Sequence, residues 1–284
     1  MLHDDIVYEY PKADRIVVIG DIHGDVKRFK NILIDAQIIN KNIEWIAIPQ
    51  HTIVIQLGDQ IDSQNRSHEI KEWEVLDDTE MIHFTNFINN IAKSKGGRII
   101  SLIGNHELMN VIGNFSYVSS KSIHNSNSRS ELFKPAGTLS SILCNRPIVV
   151  KIGELLFCHA GLRKYHIDIL QKNGKELSYL NTIWNNFMKN QSVLLEDKEI
   201  FDKIILDYEG ILWNRNLDSS EVMQEILNNL KCVYMFVGHT TVENVKILNN
   251  VWYVDTGISR AFGTVSYQYV DIKDYNISIK TVVD

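Results

Sequence analysis

Five times along this chain a short apolar run ends in a cluster of glycine with acid, histidine or amide side chains. In order, the clusters are Gly20-Asp21-Ile22-His23-Gly24-Asp25, Gly58-Asp59-Gln60-Ile61-Asp62, Gly104-Asn105-His106-Glu107, His159-Ala160-Gly161 and Gly238-His239-Thr240. The runs before the first three (RIVVI, TIVIQL, RIISLI) are short and β-branched, which is how strands buried on both faces read. Between them, Val26, Phe29, Ile32 and Leu33 recur at helical spacing over 25–36, with Asp25 placed to cap that helix. Met81, Phe84, Phe87, Ile88 and Ile91 do the same over 79–95. Strand–helix–strand–helix–strand specifies an α/β architecture. In open sheets of that class, ligands bind beyond the carboxyl ends of the strands, where this chain concentrates its acids, histidines and amides.

The second half reads as more β-rich, with strands expected over 148–152, 154–158, 232–237, 252–255, 264–271 and 277–282. Helices are expected over 176–188 and 219–230. Residues 46–50 and 115–129 read as loops, the latter Ser/Asn-rich and suited to a lid or substrate wall. With 284 residues, 44% hydrophobic composition and no Pro/Gly/Ser linker, residues 1–284 are expected to form a single domain. A formal charge of −6 argues against a general nucleic-acid or anionic-membrane binder. Cys144, Cys158 and Cys232 are too few for a disulfide framework and lack zinc-knuckle spacing. The N-terminal residues carry charge and no apolar stretch, so a soluble cytoplasmic protein is expected.

Carboxylate oxygen, imidazole nitrogen and amide oxygen, with no thiolate, suit divalent ions such as Mn, Fe, Zn or Mg. Asp21 and His23 alternate on an extended segment and can face one ion. Asp59 has two oxygens with which to bridge two ions, and Asn105, His159 and His239 would complete the ligand set of the second ion. Such a pair of metals clamps a phosphate and ionises a bridging water for in-line attack. His106, next to Asn105, can reach the leaving-group side and protonate the departing oxygen, with Asp62 as its orienting acid.

The motifs GDIHGD, GDQID, GNHE, HAG and GHT, in this order, resemble those of the calcineurin-like metallophosphoesterase superfamily. They are most similar to its phosphoprotein phosphatase branch, because Thr241 stands where many other members carry a second histidine. Leu212-Trp213-Asn214-Arg215 and Asp255-Thr256-Gly257-Ile258-Ser259 further resemble the bacterial-type (Shewanella-like) phosphatases. The resemblance implies a four-layer α-β-β-α sandwich of two mixed β-sheets. It implies Asp21, His23 and Asp59 on one metal, with Asp59, Asn105, His159 and His239 on the other; manganese is the favoured ion. His106 with Asp62 would donate the proton, and Arg215 would contact substrate phosphate. The implied activity is a dinuclear-metal phosphomonoesterase, first of all a serine/threonine protein phosphatase, working by direct attack of a metal-bridging hydroxide. Its partners would be phosphorylated proteins or small phosphoesters, with nucleic acid and membrane not expected. A dinucleoside polyphosphate (diadenosine tetraphosphate) hydrolase is the first alternative. A nucleic-acid end phosphatase fits the acidic balance less well. A non-catalytic metal-binding scaffold is disfavoured by retention of His106 and every ligand.

The chain departs from the family in one motif. GDxxDRG reads here as GDQIDSQNR, so Ser63 and Gln64 replace the phosphate-binding arginine and its glycine, and Arg66 is the candidate substitute. Residues 68–80 read as a variable insertion. Glu107 is assigned equally to orienting the site or to capping a helix. Cys158, Trp213 and Trp252 are expected in the core. His51, His68, His83, His124 and His166 are expected on the surface or in the core. Arg129, Arg163 and Arg260 are read as solvated surface, and Lys27, Arg28 and Lys30 as the exposed face of a helix. Asp255-Thr256-Gly257 echoes an aspartic-protease signature, but that chemistry needs two such carboxylates and no second copy occurs.

Overall fold

The computed structural model describes residues 6–66, 77–122, 126–189 and 193–284. The strands are β1 (Glu9–Tyr10), β2 (Arg15–Ile19), β3 (Ile53–Gln56), β4 (Arg98–Ser101), β5 (Val149–Ile152), β6 (Leu155–Cys158), β7 (Tyr234–Val237), β8 (Lys246–Leu248), β9 (Val251–Tyr253), β10 (Ser266–Lys273) and β11 (Asn276–Val283). The helices are α1 (Val26–Asp35), α2 (Glu80–Ser94), α3 (Asn105–Val111), α4 (Ser126–Phe133), α5 (Ser140–Leu143), α6 (Lys164–Lys172), α7 (Tyr179–Met188), α8 (Lys198–Ile200) and α9 (Ser220–Asn229). One sheet has five strands in the order β11-β10-β2-β3-β4, and the other six in the order β1-β5-β6-β7-β9-β8. Both are mixed: β2, β3 and β4 run parallel, and β10 joins β2 antiparallel. In the larger sheet β6, β7 and β9 run parallel, whereas β5–β6 and β8–β9 are antiparallel.

Strand alternation sorts the core into three seams. Val17 and Ile19 of β2, with Val54 and Ile99, face outward onto Phe29, Ile32 and Leu33 of α1 and Met81, Phe84 and Ile88 of α2. Ile16 and Val18, with Ile53, Ile55 and Ile100, face the second sheet and meet Val150, Ile152, Phe157 and Phe236. The far side of that sheet, through Leu156, Cys158, Met235 and Val237, packs on Leu170 of α6, Leu180 and Trp184 of α7, and Ile226 and Leu227 of α9. The layers are therefore helix, sheet, sheet, helix, the arrangement expected from the motifs. RIVVI is continuously apolar because both faces of β2 are covered. At the sheet-to-sheet seam Phe236 is stacked between Phe157 and Trp252, with ring centroids 5.1 and 5.9 Å away.

Helix α1 is capped as expected, with Asp25 Oδ1 accepting from Arg28 N at 3.2 Å. Arg28 corrects the sequence reading: its guanidinium is buried, donating to Ile258 O (2.8 Å), Thr264 Oγ1 (3.0 Å) and the Asp284 carboxylate. It sits at the margin of the apolar stripe, where a fork of five donors can be satisfied by neighbouring acceptors. The expected loop over 115–129 is also corrected, since residues 126–129 open α4. Helices α4 and α6 and strands β1 and β8 escaped the sequence reading because they are short or polar. Most of the expected insertion, with His68, lies outside the described residues, as does His124. His51 and His83 are exposed and His166 is buried. Among the described residues, no helix is long and apolar enough to cross a membrane.

Phe236→Ala removes the middle ring of this cross-strand stack on the inner face of the six-stranded sheet, and an unfilled core cavity of that kind costs about 3–5 kcal/mol. The expected outcome is a lower urea midpoint at unchanged slope, measured by equilibrium unfolding.

Candidate active site

The carboxyl ends of β2, β3, β4, β6 and β7 meet at one edge of the two sheets, and each delivers its cluster of polar residues there. The clusters approach so closely that their glycines are obligatory. A Cβ on Gly104 would collide with the Asp59 carboxylate, and one on Gly238 with that of Asp21. One on Gly58 would lie 2.7 Å from Gly104 N, at a φ of +98°. Four non-glycine residues, His23, Asp59, Asp62 and His239, hold φ values of 43°, 51°, 68° and 57°. Left-handed backbone at four neighbouring polar side chains is local strain, retained because surrounding contacts dictate it.

These contacts centre on Asp59. Its backbone carbonyl accepts from Ile22 N and His23 N, both at 3.0 Å, and its Oδ1 accepts from His106 N at 2.9 Å. Glu107 accepts from the backbone N–H groups of Gly104 (2.8 Å), Asp59 (2.9 Å) and Gln60 (2.8 Å). It therefore fills both roles the sequence left open, capping α3 and fixing the loop that carries Asp59.

Two groups of side chains place potential ligand atoms within 4.8 Å of one another: His23, Asp59 and His106, and Asp59, His159 and His239. Asp59 belongs to both. Asn105 Oδ1 lies 2.9 Å from both His159 Nε2 and His239 Nδ1, so it joins the second group. Asp21 Oδ2 accepts from His239 N at 2.9 Å, while Asp21 Oδ1 is buried with no hydrogen-bond partner among the described residues. One ring nitrogen of each of three histidines meets a backbone carbonyl: His23 Nδ1 with Ile61 O (3.1 Å), His159 Nδ1 with Leu57 O (2.7 Å) and His239 Nε2 with Trp213 O (2.8 Å). In the tautomer that donates to the carbonyl, the other nitrogen of each ring faces the cleft as a lone-pair donor; His23 Nδ1 also has Arg66 Nη2 at 3.1 Å.

The electrostatics point the same way. Burial, then the charges of Asp255 and Asp59, push the Asp21 carboxyl well above its usual range. Burial would also raise Asp59, but the charges of His159 and His106 outweigh it and hold it well below. Burial, then the His159 charge, push His239 down to about 3. Crowded buried carboxylates, an orphaned carboxylate oxygen and the His23 and His239 imidazoles, which burial pushes toward the neutral form, are a donor set that divalent cations satisfy.

Beside these groups, His106 Nδ1 donates to Asp62 Oδ2 at 2.7 Å. Burial lowers the His106 pKa, and the Asp59 charge with the Asp62 hydrogen bond more than offsets this, leaving it raised. The cleft above holds about 550 Å³ and is bordered by Arg66, Arg215, Tyr117, Phe262, Tyr208 and Trp213. Arg66 lies between the rings of Tyr117 and Phe262, 4.9 and 5.6 Å from their centroids, and its Nη2 donates to Asp62 O at 3.1 Å. Arg215 donates to His239 O at 2.9 Å. Every expected site residue thus lines or underlies one cleft.

Other expectations are met or corrected. Trp213 packs against the core as expected and also forms part of the cleft wall, in edge contact with Tyr208 at 5.2 Å. Trp252 is half-buried and packs on the core beside Phe236, as expected. Arg129 is buried rather than solvated, with its fork on Asp78 at 2.8 and 3.0 Å. Arg163 is partly buried, pairing with Glu209 and Asp218, and Arg260 forms a bidentate pair with Asp25. Cys158 is a packed thiol, 3.6 Å from Met235 Sδ, and burial pushes its pKa up to about 12. Sequence reasoning missed Asn110, Asp78 and Arg129 behind Asp62. Only Asn110 left a signal, four residues after His106 and so on the same helix face.

A family model for calcineurin-like phosphoesterases matches residues 14–243. The chain is 29% identical over 293 residues to Shewanella-like protein phosphatase 1 of Plasmodium berghei, covering 95% of this chain and 75% of that protein. Among solved structures it is similar to a cold-active protein-tyrosine phosphatase of a psychrophilic Shewanella, at TM-score 0.77 and 20% identity, over 96% of this chain and 81% of that one. It also overlays a protein serine/threonine phosphatase of Saccharomyces cerevisiae at TM-score 0.57 and 16% identity, over 99% and 84% of the two chains.

Gly104→Ala should disturb the Asp59 loop at an overpacking cost of about 1–3 kcal/mol. A lower melting temperature is expected, together with reduced metal per chain by elemental analysis.

Proposed function

We propose, from the premise that this chain belongs to the calcineurin-like phosphoesterase family, that it is a two-metal phosphomonoesterase acting on phosphorylated protein side chains. Membership makes it a metal-dependent phosphoester hydrolase; the phosphoprotein substrate and the individual roles are our reading. The observation that carries it is the sharing of Asp59 between two groups of candidate ligands; of the first group we read His106, held by Asp62, as the proton donor, and Asp21 as the ligand in its place. Divalent cations held by Asp21, His23 and Asp59, and by Asp59, Asn105, His159 and His239, would supply Lewis-acid charge at the phosphate and lower the pKa of a water.

The chain's own groups do the rest. Arg215 and Arg66, with the Asn105 amide, bind the phosphate oxygens and hold the ester in line. As the P–O bond breaks, its electron pair goes to the leaving oxygen, which takes the Nε2 proton of His106. Asp62 keeps Nδ1–H engaged throughout, so the ring cannot turn away. Hydrolysis is a single displacement by water, with no phosphoenzyme.

Serine/threonine phosphoproteins are the first substrate class. One observation favours a second reading, phosphotyrosine. Tyr117, Phe262, Tyr208 and Trp213 make the rim aromatic, a surface suited to a phenyl ring. The solved relative from Shewanella, described as a tyrosine phosphatase, supports the same reading.

The test is a panel of phosphoserine, phosphothreonine and phosphotyrosine peptides with diadenosine tetraphosphate. Release of phosphate from peptides is expected; cleavage of the dinucleotide alone overturns the reading. Chelation should abolish turnover and manganese restore it. His106→Asn should retain bound metal and lower kcat by ~10²–10⁴, the usual contribution of a general acid. Arg66→Ala should raise KM more than it lowers kcat, as read by steady-state kinetics.

A further inference from the structure

Asp62 is fully buried, yet His106 uses only one of its oxygens. The other, Oδ1, accepts from Asn110 Nδ2 at 2.8 Å and lies 3.4 Å from Arg129 Nη2. Asp62 N donates to Asp78 Oδ2 at 2.9 Å. Arg129 closes the ring, with Nη1 and Nη2 on the two oxygens of Asp78 and Nε on Asn110 Oδ1 at 2.6 Å. Its guanidinium also lies 4.9 Å over the buried ring of Phe133. One planar fork thus reaches Asp62, Asp78 and Asn110, and these are the groups that hold Asp62 from its backbone, from its free oxygen and through α3. Asp62 needs holding, because its φ of 68° is unfavourable for a residue with a side chain.

We propose that Arg129 is a positioning residue for proton donation. It fixes the Asp62 carboxylate, which in turn fixes the His106 ring, so that α4 is tied to the chemistry without touching substrate. The inference rests on the reading of His106 as the proton donor. It explains the burial of a charged fork that nothing in the sequence marked. A lysine in its place carries the charge but presents no rigid planar fork to three acceptors.

The variants are Arg129→Lys and Arg129→Met combined with Asp78→Asn, the latter removing both charges of the buried pair so that neither is left alone. His106→Asn is the reference. Each is assayed on phenyl phosphate, whose leaving oxygen needs a proton, and on 2,4-dinitrophenyl phosphate, whose leaving oxygen does not. Melting temperature and metal per chain are measured alongside. For both Arg129 variants a ~10²-fold fall in kcat is expected on phenyl phosphate, the size of loss that a small misplacement of a catalytic group produces. Little change is expected on the dinitrophenyl ester, in KM, or in bound metal. Equal losses on the two esters, or no loss on either, overturn the inference while a selective loss in His106→Asn leaves the proton-donor reading standing. If His106→Asn itself shows no selectivity between the esters, the proton-donor reading falls and this inference falls with it.

Discussion

The carboxylate of Asp59 and the backbone around it form the joint on which the site is built. Its carbonyl receives the amides of the first motif, its Oδ1 receives the amide of His106, and its Oδ2 stands 3.3 Å from His159 Nε2. Glu107 then holds the loop from behind by accepting three amides. Four sequence segments therefore converge through one residue. The glycines beside them are spacers in a literal sense, since a methyl group at Gly58 or Gly104 would enter the next loop.

The strain in this region follows from the same demand. Donor atoms must point inward from turns that a polar side chain would rather avoid, and His23, Asp59, Asp62 and His239 all accept left-handed backbone to do so. What counterbalances the strain is the apolar packing beneath it, where β2 and its neighbours are covered on both faces. A site of buried, mutually repelling carboxylates is unfavourable alone, and a thick sandwich is what tolerates it.

Much of this was legible in the sequence for a physical reason. Strands buried on both faces must be continuously apolar, and polar residues at their ends must then sit at a sheet edge, so RIVVI-GDIHGD states both fold and site at once. Asp25 was legible as a cap because capping is local chemistry. Arg129, Asp78 and Arg28 were not, because burial of a charged side chain depends on acceptors distant in sequence; Arg129 meets Asp78 across 51 residues and Asn110 across 19. Trp213 was read as core alone for a related reason: hydrophobicity does not show that a ring packed on the core also lines a cleft.

The strand β10 lies inside the five-stranded sheet, between β11 and β2, and the ion pair of Arg15 with Asp271 joins residues 256 apart. The parallel trio made early in synthesis therefore has an open flank until β10 itself has been made. Two candidate ligands, His159 and His239, also come from the other sheet. The site as read here is then complete only after both sheets are made, and until β10 is added the edge of β2 is the surface on which a nascent copy is most open to mispairing.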